Sequence, residues 1–141
     1  WVDARPGQPT GVSSIPDAYH DLFERPTTAH VTTMLPDGRP HTTPVWIGYD
    51  ADADRLLVNT ERGRRKAKNV EHDSAVSVSM TDPDDPYRWL SVTGEVVAVT
   101  TEGAREHIDE LARRYTGADY DNPIETERIV FEIRPEEVYT G

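Results

Sequence analysis

The chain has 141 residues, a formal net charge of −11 and no cysteine. This length suits one domain with a modest core, and the sequence shows neither an apolar run of about eighteen residues nor a charged-then-apolar leader, so we expect no membrane span and no secretion. The acidic balance disfavours nucleic-acid binding, and the lack of cysteine excludes disulfides, thiolate catalysis and cysteine-bound metal. We therefore expect a cytoplasmic protein that binds neither membranes nor nucleic acid.

The first part of the chain is predicted to be a loose arm followed by a short helix. Residues 1–15 begin with a stretch rich in Gly and Pro that has no hydrophobic periodicity, which is typical of an unstructured arm. Residues 16–141 are predicted to form one domain. Its first element is a helix from Pro16 to Glu24, because proline suits a first helical turn and the following Arg25-Pro26 pair ends a helix.

Two β-branched segments then predict a β-hairpin. Ala29–Leu35 and Pro40–Tyr49 are separated by a Pro-Asp-Gly-Arg turn sequence. At a spacing of two residues, the second segment has one largely apolar face and one mixed face, so we expect one continuous strand. Pro44 has no N–H for a sheet ladder, and it therefore marks an edge, a bulge or a place where the backbone faces something other than a strand.

A basic segment follows the next predicted strand, Arg55–Thr60. Arg62–Lys68 holds five of the fifteen Lys and Arg residues, including both lysines. Gly63 is expected to turn the backbone sharply into a helix that ends near His72. Unpaired N–H groups at the start of a helix, together with cationic side chains, form an anion site, and phosphate is the natural anion. The alternative is a solvated basic face that offsets acidic neighbours.

The remaining chain predicts three strands and one amphipathic helix. The strands are Ala75–Met80, Tyr87–Thr100 with a bulge or bend at Gly94, and Arg128–Arg134 ending at Pro135, with a loop over residues 82–86. The helix runs from Glu102 to Tyr115, with Thr101 as its N-cap, Gly117 as its stop, and a buried stripe of Ala104, Ile108, Leu111, Ala112 and Tyr115.

These elements predict a mainly β (α+β) fold. Six strands, mostly in hairpin order, indicate a six-stranded antiparallel barrel with peripheral helices rather than a parallel doubly wound sheet. The sequence lacks the G-x-S-x-G, H-E-x-x-H, Walker and G-x-G-x-x-G motifs, which disfavours hydrolases and kinases. The histidines of the predicted hairpin are too widely spaced to share an ion, so no metal site is expected.

Three motifs in this order carry a resemblance to a known family. They are the hairpin sequence of residues 37–46, the Leu57–Thr60 strand with the basic segment behind it, and Tyr87–Val96. Together they resemble the split β-barrel flavin/deazaflavin oxidoreductases, the pyridoxamine 5'-phosphate oxidase-like proteins. Within these, the chain is most similar to the branch that uses the deazaflavin coenzyme F420, and the resemblance covers Pro16–Tyr139.

The resemblance implies a homodimer that holds its cofactor in a groove between subunits and acts on a small-molecule substrate. By position, the ring would lie along Thr42, Thr43, Pro44, Val45 and Trp46, the ribityl chain on Asn59 and Thr60, and the phosphate on Arg64, Arg65 and Lys66, with Asn69 also in the site and Trp89 contributed by the partner subunit. For Trp46 and Trp89, ordinary interface packing is the alternative.

The expected reaction is hydride transfer, for which no catalytic side chain is assigned because the cofactor ring carries the chemistry. No Arg- and His-containing C-terminal segment of the kind that grips the substrate phosphate in pyridoxamine-phosphate oxidases is present, which disfavours vitamin B6 oxidation. The alternatives are an FMN-dependent oxidoreductase of the same fold and a non-enzymatic cofactor carrier or sensor. F420 is preferred, because Arg62 and Lys68 offer cations beyond those that one phosphate needs.

Overall fold

The computed structural model describes residues 14–141 and the backbone of Gln8 and Pro9. Its strands are β1 (Gln8–Pro9), β2 (Ala29–Met34), β3 (Pro40–Val45), β4 (Ile47–Asp50), β5 (Arg55–Glu61), β6 (Ala75–Asp82), β7 (Asp85–Thr100) and β8 (Arg128–Thr140). A single 3-10 turn (Asp17–Tyr19) precedes the helices α1 (Asp21–Glu24), α2 (Arg65–His72) and α3 (Ala104–Thr116). None of the helices in this described part is long and apolar enough to cross a bilayer.

All strands belong to one antiparallel sheet that curls back on itself. The order along the sheet is β3-β2-β6-β7-β8-β5-β4, and β1 pairs with β8 outside this path. The two end strands, β3 and β4, are consecutive in the chain and are separated only by Trp46. A sheet whose two edges lie one residue apart must bend into a barrel that stays open along one seam. The expected mainly antiparallel split barrel is therefore confirmed, and Pro44 lies on an edge strand.

The strand count differs from the expected six because one predicted strand is two. Pro40–Tyr49 breaks at Trp46, where the chain leaves one edge of the sheet and joins the other. Residues 14–141 consequently contain seven strands. The loop expected over residues 82–86 is also shorter than predicted, because β6 extends to Asp82 and β7 begins at Asp85.

The last strand continues through Pro135, which was expected to end it. The register between β7 and β8 shifts here: Gly94 pairs with Pro135, whereas Thr93 pairs with Glu137. This irregularity accommodates a residue that has no N–H to donate. It also confirms the bulge predicted at Gly94, where a Cβ would collide with the carbonyl oxygen of Arg134.

The core lies inside the barrel and is closed by the N-terminal helical segment. Leu22 and Phe23 of α1 are buried, and they join one apolar cluster with strand residues such as Val58 and Phe131. The third helix packs outside this cluster, against β8 and β5. Four members of its predicted stripe are fully buried, namely Ala104, Ile108, Leu111 and Ala112, whereas Tyr115 is half-buried.

The ends of α3 are set by two glycines. Gly117 terminates the helix in the left-handed conformation with φ +85°, as predicted. The start was predicted wrongly: Gly103, with φ +73°, precedes the first helical residue, and no side chain caps the helix there. Thr101 contributes only its carbonyl, which accepts the N–H of Ala104 at 3.2 Å.

A cluster of ion pairs joins α1 to the turn between β6 and β7. The guanidinium of Arg88 lies 2.6 Å from the Asp21 carboxylate and 2.8 Å from the Asp82 carboxylate. Arg25 lies 3.3 Å from Asp82 and 2.6 Å from Asp84. Hydrogen bonds from Arg88 and from the Asp84 backbone lower the pKa values of the Asp21 and Asp82 carboxyl groups. The attachment of α1 to the strands β6 and β7 therefore depends on two arginines shared among three carboxylates.

Replacing Arg88 by Met should lower the free energy of unfolding, because Asp21 and Asp82 lose an ionic partner. Both carboxyl groups have a folded-state pKa below the ordinary value of 3.8. Their stabilisation is therefore present above about pH 3.8 and is lost as the pH falls through the lower folded-state value. Urea unfolding should show a large difference between parent and variant at neutral pH that shrinks in strong acid.

The matched control is Arg39→Met. Arg39 also pairs with an aspartate, Asp37, at 2.8 Å, but both side chains are exposed in a hairpin turn. Exposed pairs contribute little, so this variant should unfold close to the parent midpoint at every pH. Equal losses in the two variants, or a loss in Arg88→Met that does not vary with pH, would contradict the assignment.

Candidate functional site

A cavity of about 420 Å³ lies at the seam of the barrel. Its size falls within the range of about 300–1,000 Å³ that is usual for small-molecule and cofactor sites. The lining residues are Thr28, Pro44, Val45, Trp46, Asn59, Thr60, Arg64, Lys66, Ile108, Leu111, Tyr120, Asn122 and Arg128.

Each wall of the cavity comes from a different element. The seam itself supplies Pro44, Val45 and Trp46, where the chain passes from β3 to β4. The end of β5 and the start of α2 supply one polar wall, and α3 supplies two apolar side chains. The loop between α3 and β8 and the first residue of β8 complete the enclosure. Residues that are distant in the sequence therefore meet only after the barrel has curled.

An aromatic group forms the seam side of the cavity. The ring of Trp46 stacks on Tyr115 with centroids 5.4 Å apart and planes 19° apart, and it meets the edge of Tyr120 at 6.3 Å. The Tyr115 hydroxyl donates to the carbonyl oxygen of Thr27 at 2.6 Å and accepts the N–H of Ile47 at 3.3 Å. These bonds fix Tyr115, and Tyr115 in turn fixes the plane of Trp46. The arrangement offers a rigid flat surface to a ligand ring.

Three cations face the same cavity: Arg64, Lys66 and Arg128. The pKa of the Lys66 ammonium is lowered, first by burial and then by repulsion from Arg64 and Arg128. Within residues 14–141, neither Arg64 nor Lys66 has a carboxylate oxygen within 4 Å, so neighbouring acidic groups leave these positive charges unbalanced. An anionic ligand group would balance them. A molecule with a flat ring and a phosphate therefore fits the side chains that are present.

The first turn of α2 adds backbone donors to this positive region. Arg64 occupies the N-cap position in an extended conformation, and no side chain caps the helix. The first turn also contains no acidic residue. Helix N-termini favour anions, because their N–H groups are unpaired and the helix dipole is positive there.

Gly63 lies in the predicted turn from β5 into α2, where the Arg64 N–H donates to the Glu61 carbonyl at 3.0 Å. Its φ lies outside the positive range that would need glycine, so the turn itself does not require one. Instead, a Cβ at this position would lie 2.9 Å from Cγ2 of Thr126. The Gly63 N–H donates to the Thr126 hydroxyl at 3.2 Å. Glycine is needed here for close approach between the basic segment and the loop before β8.

The structure brings together seven of the twelve predicted cofactor residues. Pro44, Val45, Trp46, Asn59, Thr60, Arg64 and Lys66 line the cavity, whereas Thr42, Thr43, Arg65, Asn69 and Trp89 do not. Asn59 is engaged by protein rather than left open: its amide nitrogen donates to the Ala104 carbonyl at 2.9 Å, and its oxygen accepts from Arg128 at 2.9 Å.

The residues outside the cavity have other contacts. Asn69 is fully buried and donates to the hydroxyl of Thr33 at 3.1 Å, while Arg65 donates to the Asn69 oxygen at 3.4 Å. The bond from Asn69 to Thr33 ties α2 to β2, and the bond from Arg65 lies within α2, so the Asn69 side chain is not available to a ligand in the cavity. Thr42 bonds across the hairpin to Thr32 at 2.7 Å.

Three further residues of interest lie away from the cavity. Trp89 packs on Gly141. Arg62 pairs with Glu127 at 2.8 Å, and Lys68 is exposed. Neither of the two extra cations on which the preference for F420 rested therefore lines the cavity.

Sequence reasoning missed Arg128 and Tyr120. The sequence pattern predicts only that Arg128 begins the last strand, and Tyr120 falls between the predicted helix and that strand. Opposite charges at Glu61 and Arg128 are a signal, but only once the register is known, since these residues pair across β5 and β8. The local pattern of the sequence does not contain that register.

An antiparallel barrel with an aromatic and cationic cavity at its open seam defines the class of split β-barrels. Residues 15–140 match the family model described as pyridoxamine 5'-phosphate oxidase. The chain therefore belongs to the pyridoxamine 5'-phosphate oxidase family. A search of curated proteins finds no match.

Solved structures agree with this assignment. An F420 reductase is 31% identical, with a TM-score of 0.77 over 88% of this chain and 98% of its own. A conserved hypothetical protein from Mycobacterium tuberculosis is 22% identical, with a TM-score of 0.72 over 94% of this chain and 88% of its own. General Stress Protein 26 from Bacillus anthracis is 17% identical, with a TM-score of 0.63 over 85% and 88%. The last two likenesses show the fold alone.

Replacing Tyr115 by Phe should destabilise the seam while keeping the ring stack on Trp46. The variant leaves the Thr27 carbonyl and the Ile47 N–H without their hydroxyl partner, which costs about 1–3 kcal/mol when such groups are buried. Urea unfolding would measure the loss. The control is Tyr139→Phe, which removes an exposed hydroxyl bonded to Glu137 and should change the midpoint little. Equal midpoints for the parent and Tyr115→Phe would contradict the role given to the hydroxyl.

Proposed function

We propose that this protein is an oxidoreductase that uses the deazaflavin coenzyme F420 to transfer a hydride to or from a small organic acceptor. The observation that carries the proposal is the cavity itself, in which the flat surface around Trp46 lies beside the unbalanced cations Arg64 and Lys66. Family membership supports an oxidoreductase. The likeness to an F420 reductase at 31% identity supports the choice of cofactor.

The cofactor residues of this protomer follow from the lining of the cavity. Trp46 and Val45 would lie along the ring, Thr60 along the ribityl chain, and Arg64 and Lys66 at the phosphate. When bound, the deazaflavin supplies a carbon centre that gives or accepts hydride. The protein binds and orients it, and the apolar side chains of α3 exclude water from one wall. No side chain is assigned a catalytic role.

Two alternatives remain open to experiment. FMN carries the same kind of ring and one phosphate, so Arg64 and Lys66 suit it equally well. Because Arg62 and Lys68 lie outside the cavity, the preference for F420 rests on the structural relative rather than on extra cations. A carrier or sensor would bind cofactor without passing hydride to any acceptor. The absorption spectrum separates the two ring systems, and assay of bound reduced cofactor against acceptors separates enzyme from carrier.

Replacing Lys66 by Met should weaken binding of F420 and of FMN by about 10- to 150-fold, the usual effect of losing one charge-assisted contact. Fluorescence titration of the apo-protein would measure both affinities. Lys68→Met is the matched control, because Lys68 lies on the same helix with an exposed side chain outside the cavity. Equal affinity in the parent and Lys66→Met would favour a solvated basic face over a phosphate site.

The affinity should also depend on pH through Lys66. The pKa of this ammonium lies below its ordinary value of 10.5 because of burial and the neighbouring Arg64 and Arg128. Phosphate binding needs the protonated form, so affinity should fall as the pH rises through this lowered value. Titrations across alkaline pH should show the decline in the parent and not in Lys66→Met. A decline of the same size in both proteins would assign it to another group.

We further propose a homodimer with the cofactor at the subunit interface and Trp89 supplied by the partner. Trp89 lies outside the cavity of its own protomer, which agrees with a contribution across a twofold axis. Sedimentation velocity at micromolar concentration should show a dimer with and without cofactor. A stable monomer that still binds the cofactor would contradict the shared groove.

A further inference from the structure

Arg128 is a buried cation at the cavity to which the proposed function gives no part. It is the first residue of β8, its side chain is only 8% exposed, and it lines the cavity. A guanidinium carries five N–H donors in a rigid fork that matches two oxygens of a phosphate. The role of Arg128 therefore depends on how many of those donors the protein already uses.

The protein uses only part of the fork. The Nε atom of Arg128 donates to Oδ1 of Asn59 at 2.9 Å, and Nη1 donates to the Tyr120 hydroxyl at 3.4 Å, a long bond. Within residues 14–141, Nη2 makes no hydrogen bond. Nη2 is also not a fully buried atom, so it can donate to a ligand oxygen in the cavity that Arg128 lines.

The orientation of the guanidinium is fixed before any ligand arrives. The Asn59 amide nitrogen contacts both the Ala104 carbonyl at 2.9 Å and Nδ1 of His107 at 3.1 Å, which directs the Asn59 oxygen toward Arg128. Burial lowers the pKa of His107, so a neutral ring with Nδ1 as acceptor is favoured. The Tyr120 ring covers the guanidinium at 5.0 Å. Such preorganisation reduces the entropy lost on binding.

The nearby carboxylate does not saturate Arg128. Oε1 of Glu61 accepts the N–H groups of Glu125 and Thr126 at 3.0 and 2.8 Å and the Thr126 hydroxyl at 3.0 Å. The other oxygen, Oε2, lies 3.6 Å from Nη1, beyond hydrogen-bond distance. Glu61 is thus held by the loop before β8, and the charge of Arg128 is one of the causes that lower the pKa of Lys66.

We propose that Arg128 is a third phosphate-binding cation of the cavity, in which Nη2 donates to a phosphate oxygen while Arg64 and Lys66 hold the others. Asn59 is a positioning residue, because its amide oxygen holds Nε of Arg128. This inference rests on the proposed function in taking the ligand to be a ring cofactor with a phosphate. The competing interpretation is that Arg128 serves only to neutralise the buried Glu61.

The test compares ligands that differ only in the phosphate. Riboflavin is FMN without its phosphate, so the ratio of their dissociation constants isolates what the phosphate contributes. Arg128→Met should weaken FMN binding by about 10- to 150-fold and leave riboflavin binding within about twofold. Arg128→Lys keeps the charge but loses the forked geometry of the guanidinium. Its affinity for FMN should lie between those of the parent and Arg128→Met. Calorimetric titration of the parent and Arg128→Met with inorganic phosphate compares their phosphate affinities without any ring in the ligand.

Two control variants keep the result interpretable. Arg134→Met removes another arginine of β8 that also lies near a glutamate, Glu95 at 3.5 Å, but is exposed and outside the cavity. It should bind all ligands as the parent does. Glu61→Gln combined with Arg128→Met avoids leaving a buried carboxylate unpaired, and its thermal unfolding shows whether the fold survives. This double variant should show the same loss of phosphate selectivity.

The outcomes separate the two proposals. Selective loss of FMN and inorganic phosphate affinity in Arg128→Met and in the double variant supports the third cation. Equal weakening of FMN and riboflavin, or no weakening of either, overturns it while leaving the proposed function intact. Failure of the parent to bind F420, FMN or riboflavin would instead contradict the proposed function. In that case the affinity for inorganic phosphate alone tests the role of Arg128, and equal phosphate affinity in the parent and Arg128→Met overturns that role.

Discussion

The architecture depends on one constraint: the two edges of the sheet are joined by a single residue, Trp46. A sheet of this size with free edges could stay open, but here the chain forces the edges to meet without hydrogen bonds between them. The resulting seam places the backbone polar groups of β3 and β4 beside the ring of Trp46. It also lets a cavity form inside the sheet margin, where the helices and the loop before β8 can close around it.

The second organising feature is the set of hydrogen bonds that converges on the start of β8. Glu61 holds the loop before the strand, Asn59 holds the guanidinium of Arg128, and both residues lie on the neighbouring strand β5. Buried ion pairs are weak evidence for stability, since desolvation offsets much of their attraction. Their presence beside the cavity is better explained by a need for positive charge in a defined place, and the acidic remainder of the chain makes that local reversal more pronounced.

Much of the fold can be predicted from sequence because the relevant signals are local. Alternation, turn residues and the glycines at positions 94 and 117 predict strands, a bulge and a helix end. The break at Trp46 could not be predicted, because Val45, Trp46 and Ile47 form an apolar run of the kind that a continuous strand also shows. The same limit applies to the site: the basic segment is visible in the sequence, whereas Arg128 depends on strand register and Asn69 on which side of α2 faces the sheet.

The central position of β8 has a consequence for how the protein folds. This strand pairs with β5 on one side and β7 on the other, and its partners on β5 precede it in the sequence by 67 to 77 residues, from Glu61↔Arg128 to Leu56↔Ile133. Closing such long loops is slow, and β5 and β7 present unpaired edges until the last strand is in place. During synthesis on the ribosome, the nascent chain would therefore expose two unpaired strand edges until β8 emerges, and the cavity, which Arg128 of β8 lines, would not be complete before then.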